Sequence, residues 1–179
     1  MNLGKRIMIM GSPCSGKSTF AVILSELLKL PVVHLDKISI KYINNGAWDM
    51  MNDEIHTAAN QSMWIIEGNF TATRDYRLER ADTVIYLDFD RYTCLSRLLI
   101  RRIKNFIQPH SDRTGCPPNI SLWIIKKIWR YPHESHEEIK IWLLKVNPQK
   151  KVFHLKGSKA VKDFLNEVQQ NNNSMLAED

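Results

Sequence analysis

The chain has 179 residues, 44% of them hydrophobic and 25% charged, with a formal charge of +6; that suits one domain with a real core and favours anionic partners. No apolar stretch approaches the ~20 residues of a membrane span, and no signal-peptide pattern is present. Cys14, Cys94 and Cys116 are too far apart for a disulfide framework or zinc knuckle, and His133 with His136 lacks further ligands at suitable spacing, so a reduced, cytoplasmic protein is expected.

The first element in chain order is a short buried strand, Arg6–Met10. Directly after it, Gly11-Ser12-Pro13-Cys14-Ser15-Gly16-Lys17-Ser18 fits the G-x-x-x-x-G-K-[ST] phosphate loop. In such a loop backbone N–H groups cradle phosphates, the lysine reaches the β- and γ-phosphates, and the hydroxyl meets Mg²⁺. Residues Gly11 to Thr19 are therefore the expected nucleotide cradle, with Cys14 a small filler. Phe20, Ile23, Leu24, Leu27 and Leu28 recur at helical spacing until Pro31. Strand, glycine loop and helix N-terminus together aim amides at an anion.

Four further strands are expected at Val32–Leu35, Trp64–Ile66, Thr83–Leu87 and Lys151–Leu155, near-continuous apolar runs of the kind covered on both faces. A weak helical pattern covers Ala47–Asn60, and stronger ones cover Tyr92–Phe106, Ser121–Arg130, Ser135–Val146 and Ala160–Val168. Gln169–Asp179 is polar and asparagine-rich and reads as a frayed tail after a domain spanning 1–168. Alternating strands and helices give an open α/β sheet, whose ligands bind beyond the carboxyl ends of the strands. Each expected strand ends on a useful group: the phosphate loop, Asp36, Glu67-Gly68-Asn69, Asp88, and Gly157-Ser158-Lys159.

Mg²⁺ bound with a nucleotide takes few protein ligands, often a loop hydroxyl and a carboxylate. Ser18 and Glu67 are the expected metal pair, and Asp36 the group that orients or deprotonates an acceptor hydroxyl. The alternative for either carboxylate is a cap on the following helix, the reading favoured for Asp88 and Asp90. Phosphoryl transfer also needs cations near the γ-phosphate. Arg74, Arg77 and Arg80 follow the third strand on an acceptor side. Arg97, Arg101, Arg102 and Arg113 precede or lie in a proline-bearing loop suited to a lid. Between Arg97 and Arg130, eight basic residues face one acid, Asp112, a local charge of +7.

These residues resemble the P-loop kinases of the adenylate kinase type, and more closely the bacterial DNA topology modulation (FlaR-like) proteins. The matching pieces are Ile7–Thr19, Pro31–Asp36, Trp64–Phe70, Arg77–Asp88, Gly115-Cys116-Pro117 and Ile128–Pro132. The resemblance implies a P-loop NTPase three-layer sandwich with a five-stranded parallel sheet in kinase-like order, ATP as the nucleotide, and a lid near 103–120. It places Glu67-Gly68 where nucleoside monophosphate kinases carry Asp-Gly before the acceptor loop, and Arg97, Arg101 and Arg102 on the helix entering the lid. Arg97 and Gly157 join the expected nucleotide site. Lys17, Asp36, Arg101, Arg102 and Arg113 form the expected catalytic group, and Asp36, Asn69, Arg74 and Arg77 the acceptor site. Two departures fall on the acceptor side. Asn69-Phe70-Thr71 replaces the Phe-Pro-Arg of adenylate kinases, and residues 37–48 lack the Lys-Pro-Gly-Trp turn of close relatives. Three readings follow: a small-molecule or nucleotide kinase using ATP and Mg²⁺, a nucleic-acid-associated ATPase or regulator, and a nucleotide-binding protein without turnover. The oligomeric state is open.

Overall fold

The computed structural model describes residues 2–43, 45–107, 122–134, 136–144, 146 and 148–176. Five strands alternate with helices: β1 (Arg6–Gly11), α1 (Lys17–Leu28), β2 (Val32–His34), α2 (Leu35–Ile43), α3 (Trp48–Ala59), β3 (Trp64–Glu67), α4 (Arg74–Arg80), β4 (Thr83–Asp88), α5 (Arg91–Ile107), α6 (Leu122–Glu134), α7 (His136–Leu144), β5 (Lys151–Lys156) and α8 (Gly157–Leu176). The sheet runs β2-β3-β1-β4-β5, and every pair is parallel. All five expected strands are present, each within a residue of its expected ends.

Alternation along β1 explains the three layers. Ile7 and Ile9 point to one face and Met8 and Met10 to the other, because successive strand residues project to opposite sides. On the first face, Phe20 and Leu24 of α1, Cys94 and Leu98 of α5, and Phe164 and Val168 of α8 close the core. On the second, Leu35 and Ile38 of α2, Met51 and Ile55 of α3, and Tyr131 of α6 do so. With both faces covered, the central strands β1, β3 and β4 are almost wholly buried and can be apolar throughout, while the edge strand β5 keeps exposed residues.

Local chemistry sets the element ends. Lys29 adopts a left-handed conformation (φ 55°) and closes α1 ahead of Pro31. Asp90 caps α5, its Oδ1 accepting from the Thr93 amide at 2.9 Å and its Oδ2 accepting from the Thr93 hydroxyl. Asp88, expected to cap with it, faces His154 Nε2 of β5 at 2.7 Å.

Two helices were not visible as patterns. α2 begins directly at Leu35, and among its described side chains only Leu35 and Ile38 are buried, too short a stripe to read. α4 buries Arg77 where a hydrophobic residue would normally mark the inner face. The final helix also differs from expectation: it starts at Gly157 and continues to Leu176. Its polar residues form an outer face, and Asn172 Nδ2 donates to the Leu27 carbonyl at 2.8 Å, tying the last turns to the end of α1. The expected lid from residue 108 to 120, Arg113 included, lies outside the described residues; residues 103–107 are the last turns of α5.

Candidate active site

The phosphate loop joins β1 to α1 and is shaped by three left-handed residues, Gly11 (φ 153°), Cys14 (φ 61°) and Gly16 (φ 96°). Gly11 is required twice over, since a Cβ there would lie 2.5 Å from the Leu87 carbonyl oxygen. Ser15 N–H donates to Ser12 O at 3.1 Å, closing the turn. The Ser12 hydroxyl lies 2.9 Å from the thiol of buried Cys94. α1 starts at Lys17 without a side-chain cap, so its first-turn amides present the positive helix end to the loop. Lys17 folds back over the loop, Nζ donating to Gly11 O (3.1 Å) and Ser12 O (2.9 Å).

Glu67, at the end of β3, is buried beside the loop. Its Oε1 accepts from Ser18 Oγ at 2.9 Å and pairs with His34 Nδ1 at 2.8 Å. Burial opposes the charge of Glu67, but the bonds from His34 and Ser18 and the ammonium of Lys17 outweigh it and hold its pKa below the usual value. An ionised carboxylate only accepts, so His34 Nδ1 carries the proton. The second oxygen, Oε2, is buried without a hydrogen-bond partner. A hydroxyl beside a carboxylate with one idle buried oxygen is a donor set that fits a hard divalent cation.

The loop opens onto a cavity of about 860 Å³. Residues Pro13 to Phe20 line it, with Asp36 from α2, Arg97, Arg101 and Lys104 from α5, Ile124 from α6, and Ser158 and Lys162 from α8. Arg97 spans the site: Nη1 donates to Ser15 O, Nη2 donates to Ser158 Oγ at 3.1 Å, and the guanidinium lies 4.1 Å from the Phe89 ring centre. Gly157 opens α8 in a left-handed conformation, while its neighbour Ser158 is the residue that lines the cavity. Arg102 is exposed and does not line it.

Three residues expected on the acceptor side make contacts within the scaffold. Asn69 grips Gly11, accepting from its N–H at 3.1 Å and donating to its carbonyl at 2.6 Å. Arg77 is fully buried and donates to Gly68 O, Phe70 O and Thr73 O, at 3.2, 2.6 and 3.3 Å. Burial, with nearby Arg74, pulls its pKa down to about 10. Arg74 pairs with Glu138 of α7 at 2.9 Å and lies 5.1 Å from the Trp142 ring.

One residue without an expected role belongs to the site: His34 orients Glu67. Lys127 of α6 is exposed and does not line the cavity, but desolvation lowers its pKa, with Asp36 opposing the shift and Lys17 adding to it. The pattern of alternating strand residues hides His34, and Lys127 is one cation among many in the basic segment.

No protein-family model and no curated protein matches the chain. Among solved structures, a gluconokinase from Sinorhizobium meliloti is 12% identical, with 98% of this chain and 95% of that one covered and a TM-score of 0.53. A shikimate kinase from Bacteroides thetaiotaomicron is 14% identical, covers 93% of this chain and 96% of its own, and has a TM-score of 0.56. At such identities the likeness is one of fold. The chain has the fold of the P-loop NTPases, in the small, single-sheet form of these P-loop kinases.

Proposed function

We propose that the protein is a kinase that transfers the γ-phosphoryl group of Mg·ATP to a hydroxyl or phosphate of a small molecule or nucleotide. The observation that carries this is the Ser18–Glu67 pair at 2.9 Å, with the idle buried Glu67 Oε2 beside it and Lys17 at the same loop. A bare anion cradle needs the loop and lysine, whereas a buried carboxylate beside them is useful where a cation accompanies the phosphates.

In this reading Ser18 and Glu67 hold Mg²⁺, directly or through water. The cation would neutralise charge on the transferred group. Lys17 leaves the carbonyls of Gly11 and Ser12 and takes up phosphate oxygens, a short swing because it already lies across the loop. Arg97 seats the nucleotide, and Arg101 bears on the phosphates. Asp36, lining the same cavity, accepts the proton of the attacking hydroxyl. The new P–O bond then forms as the bond from the γ-phosphorus to its bridging oxygen breaks, and ADP leaves.

The gluconokinase and shikimate kinase are named for small hydroxylated acids, so such acids belong in an acceptor panel beside nucleosides, nucleoside monophosphates and supercoiled DNA. The test is coupled ADP release from Mg·ATP. Stimulation by one small acceptor, lost in Lys17→Ala and Glu67→Gln, supports the kinase. Stimulation by DNA alone replaces it with a nucleic-acid-associated ATPase. ADP release unchanged in Lys17→Ala refutes both.

A further inference from the structure

α5 and α6 are amphipathic in the wrong direction for helices that only cover a core. α5 buries Cys94 and Leu98. At roughly 100° per residue, Tyr92, Leu99 and Ile103 lie on the opposite side, and all three are exposed. α6 buries Ile128 and Tyr131 while Leu122, Ile125 and Trp129 face out. The two strips join, because the Tyr92 and Trp129 rings meet edge to face at 6.3 Å and the Arg91 guanidinium lies 4.9 Å from the Trp129 ring. Among the described residues, nine of the sixteen exposed large hydrophobics belong to these two helices, with Leu122, Tyr92 and Ile107 at 76%, 70% and 69% exposure. A concentration of this kind marks an interaction surface, not scattered surface apolarity.

We propose that this face docks on an anionic lipid bilayer. Charge selects the class of partner. The helices carry eight Lys and Arg residues against one acid, Glu134, so a second copy of the chain would bring like charge to like charge. Arg97, Arg101 and Lys104 line the nucleotide cavity, and the other five, Arg91, Arg102, Lys126, Lys127 and Arg130, stand outside it on the helices that carry the strip. Shape and chemistry then separate lipid from nucleic acid. Single-stranded nucleic acid binds through aromatic platforms, whereas the centre of this strip is aliphatic: Leu99, Ile103, Ile107, Leu122 and Ile125. An aliphatic centre, bordered by Trp, Tyr and cations, is the pattern of helices lying in the headgroup region. No described helix is long and apolar enough to cross a membrane; the contact is with the surface.

The test is flotation of the full chain with phosphatidylcholine vesicles, with and without phosphatidylglycerol. Binding is expected only to the anionic vesicles, with quenching of tryptophan fluorescence by brominated lipid. Lys126→Glu with Arg130→Glu should weaken it about 10-fold or more, and Leu99→Ser with Ile103→Ser should abolish it even at low salt. Nucleotide binding and circular dichroism, unchanged in both variants, would exclude misfolding as the cause. No partition onto anionic vesicles, or partition that survives both variants, overturns the proposal. It is equally overturned if the variants abolish binding to single-stranded DNA or dimerisation while the wild type ignores vesicles.

Discussion

Asn69 holds Gly11 by both ends of its amide, accepting from the Gly11 N–H at 3.1 Å and donating to the Gly11 carbonyl at 2.6 Å. The residue after the Glu67-Gly68 strand end thereby fixes the first residue of the phosphate loop, linking β3 to the loop across β1. Gly68 takes part: its N–H donates to Ile9 O at 3.1 Å, and a Cβ on it would lie 2.8 Å from Leu35 Cβ.

Asn69→Ala is expected to loosen the loop and not the acceptor site. Two hydrogen bonds to Gly11 are lost, although its carbonyl keeps the Lys17 ammonium, a cost of about 1–3 kcal/mol. Calorimetric ATP affinity should fall, and Asn69→Asp should be worse, because it places a carboxylate beside Gly11 O and the phosphate cradle. An unchanged ATP affinity with a raised acceptor KM would restore Asn69 to the acceptor site.

Arg77 gives a prediction about stability. Its guanidinium fills a buried position and satisfies the carbonyls of Gly68, Phe70 and Thr73. Arg77→Met keeps much of the volume but leaves those acceptors unpaired, and should cost roughly 2–4 kcal/mol in denaturant unfolding. A variant of wild-type stability that has lost only acceptor binding would show that Arg77 is a ligand.

Asp82 predicts a pH dependence. It accepts from the amides of Lys5 and Arg6 at 3.0 and 2.9 Å, and from the Arg6 guanidinium at 2.6 Å. Partial burial raises its pKa, but the Arg6 guanidinium and the two amides outweigh that and hold it below the ordinary 3.8. A carboxylate with a depressed folded-state pKa contributes stability above its unfolded pKa, and that contribution is lost as pH falls through the folded value. Asp82→Asn should therefore lower the melting temperature at pH 7. The gap to wild type should narrow as pH drops below the ordinary 3.8. A gap that stays constant into that range would remove the charge from the explanation.

The reach of the sequence follows from what each residue depends on. The five strands and the phosphate loop rest on local patterns, apolar runs and glycine spacing, and these are visible without tertiary context. Ser18 and Glu67 were legible as a pair because both sit at strand or loop ends that an α/β sheet brings together. Arg77 and Asn69 are expected on an acceptor side because their types suit ligands; the bonds they make within the chain go to backbone carbonyls and amides, to which no side-chain pattern points. α2 and α4 stayed hidden for a related reason: one buries only two apolar residues, and the other buries an arginine. Lys127 could not be told from its basic neighbours until the turn of α6 brought it near Asp36 and Lys17.

Lys127 carries the last prediction, which separates a cation acting on the reacting phosphates from one that merely decorates α6. Its Nζ lies 4.6 Å from the Trp123 ring centre, and desolvation lowers its pKa while Asp36 resists that shift. Asp36 lines the cavity and opposes the shift at Lys127, so a role for the ammonium at charge that develops between nucleotide and acceptor is open to direct test. Lys127→Met keeps the stem and removes the charge. The expected result is a fall in kcat of about 10- to 100-fold, with ATP affinity and melting temperature close to wild type. Lys127→Arg should recover part of the rate, because it restores the charge with a different donor geometry. If both variants turn over at the wild-type rate, the ammonium is outside the reaction. A loss in ATP affinity alone would assign it to the ground-state nucleotide.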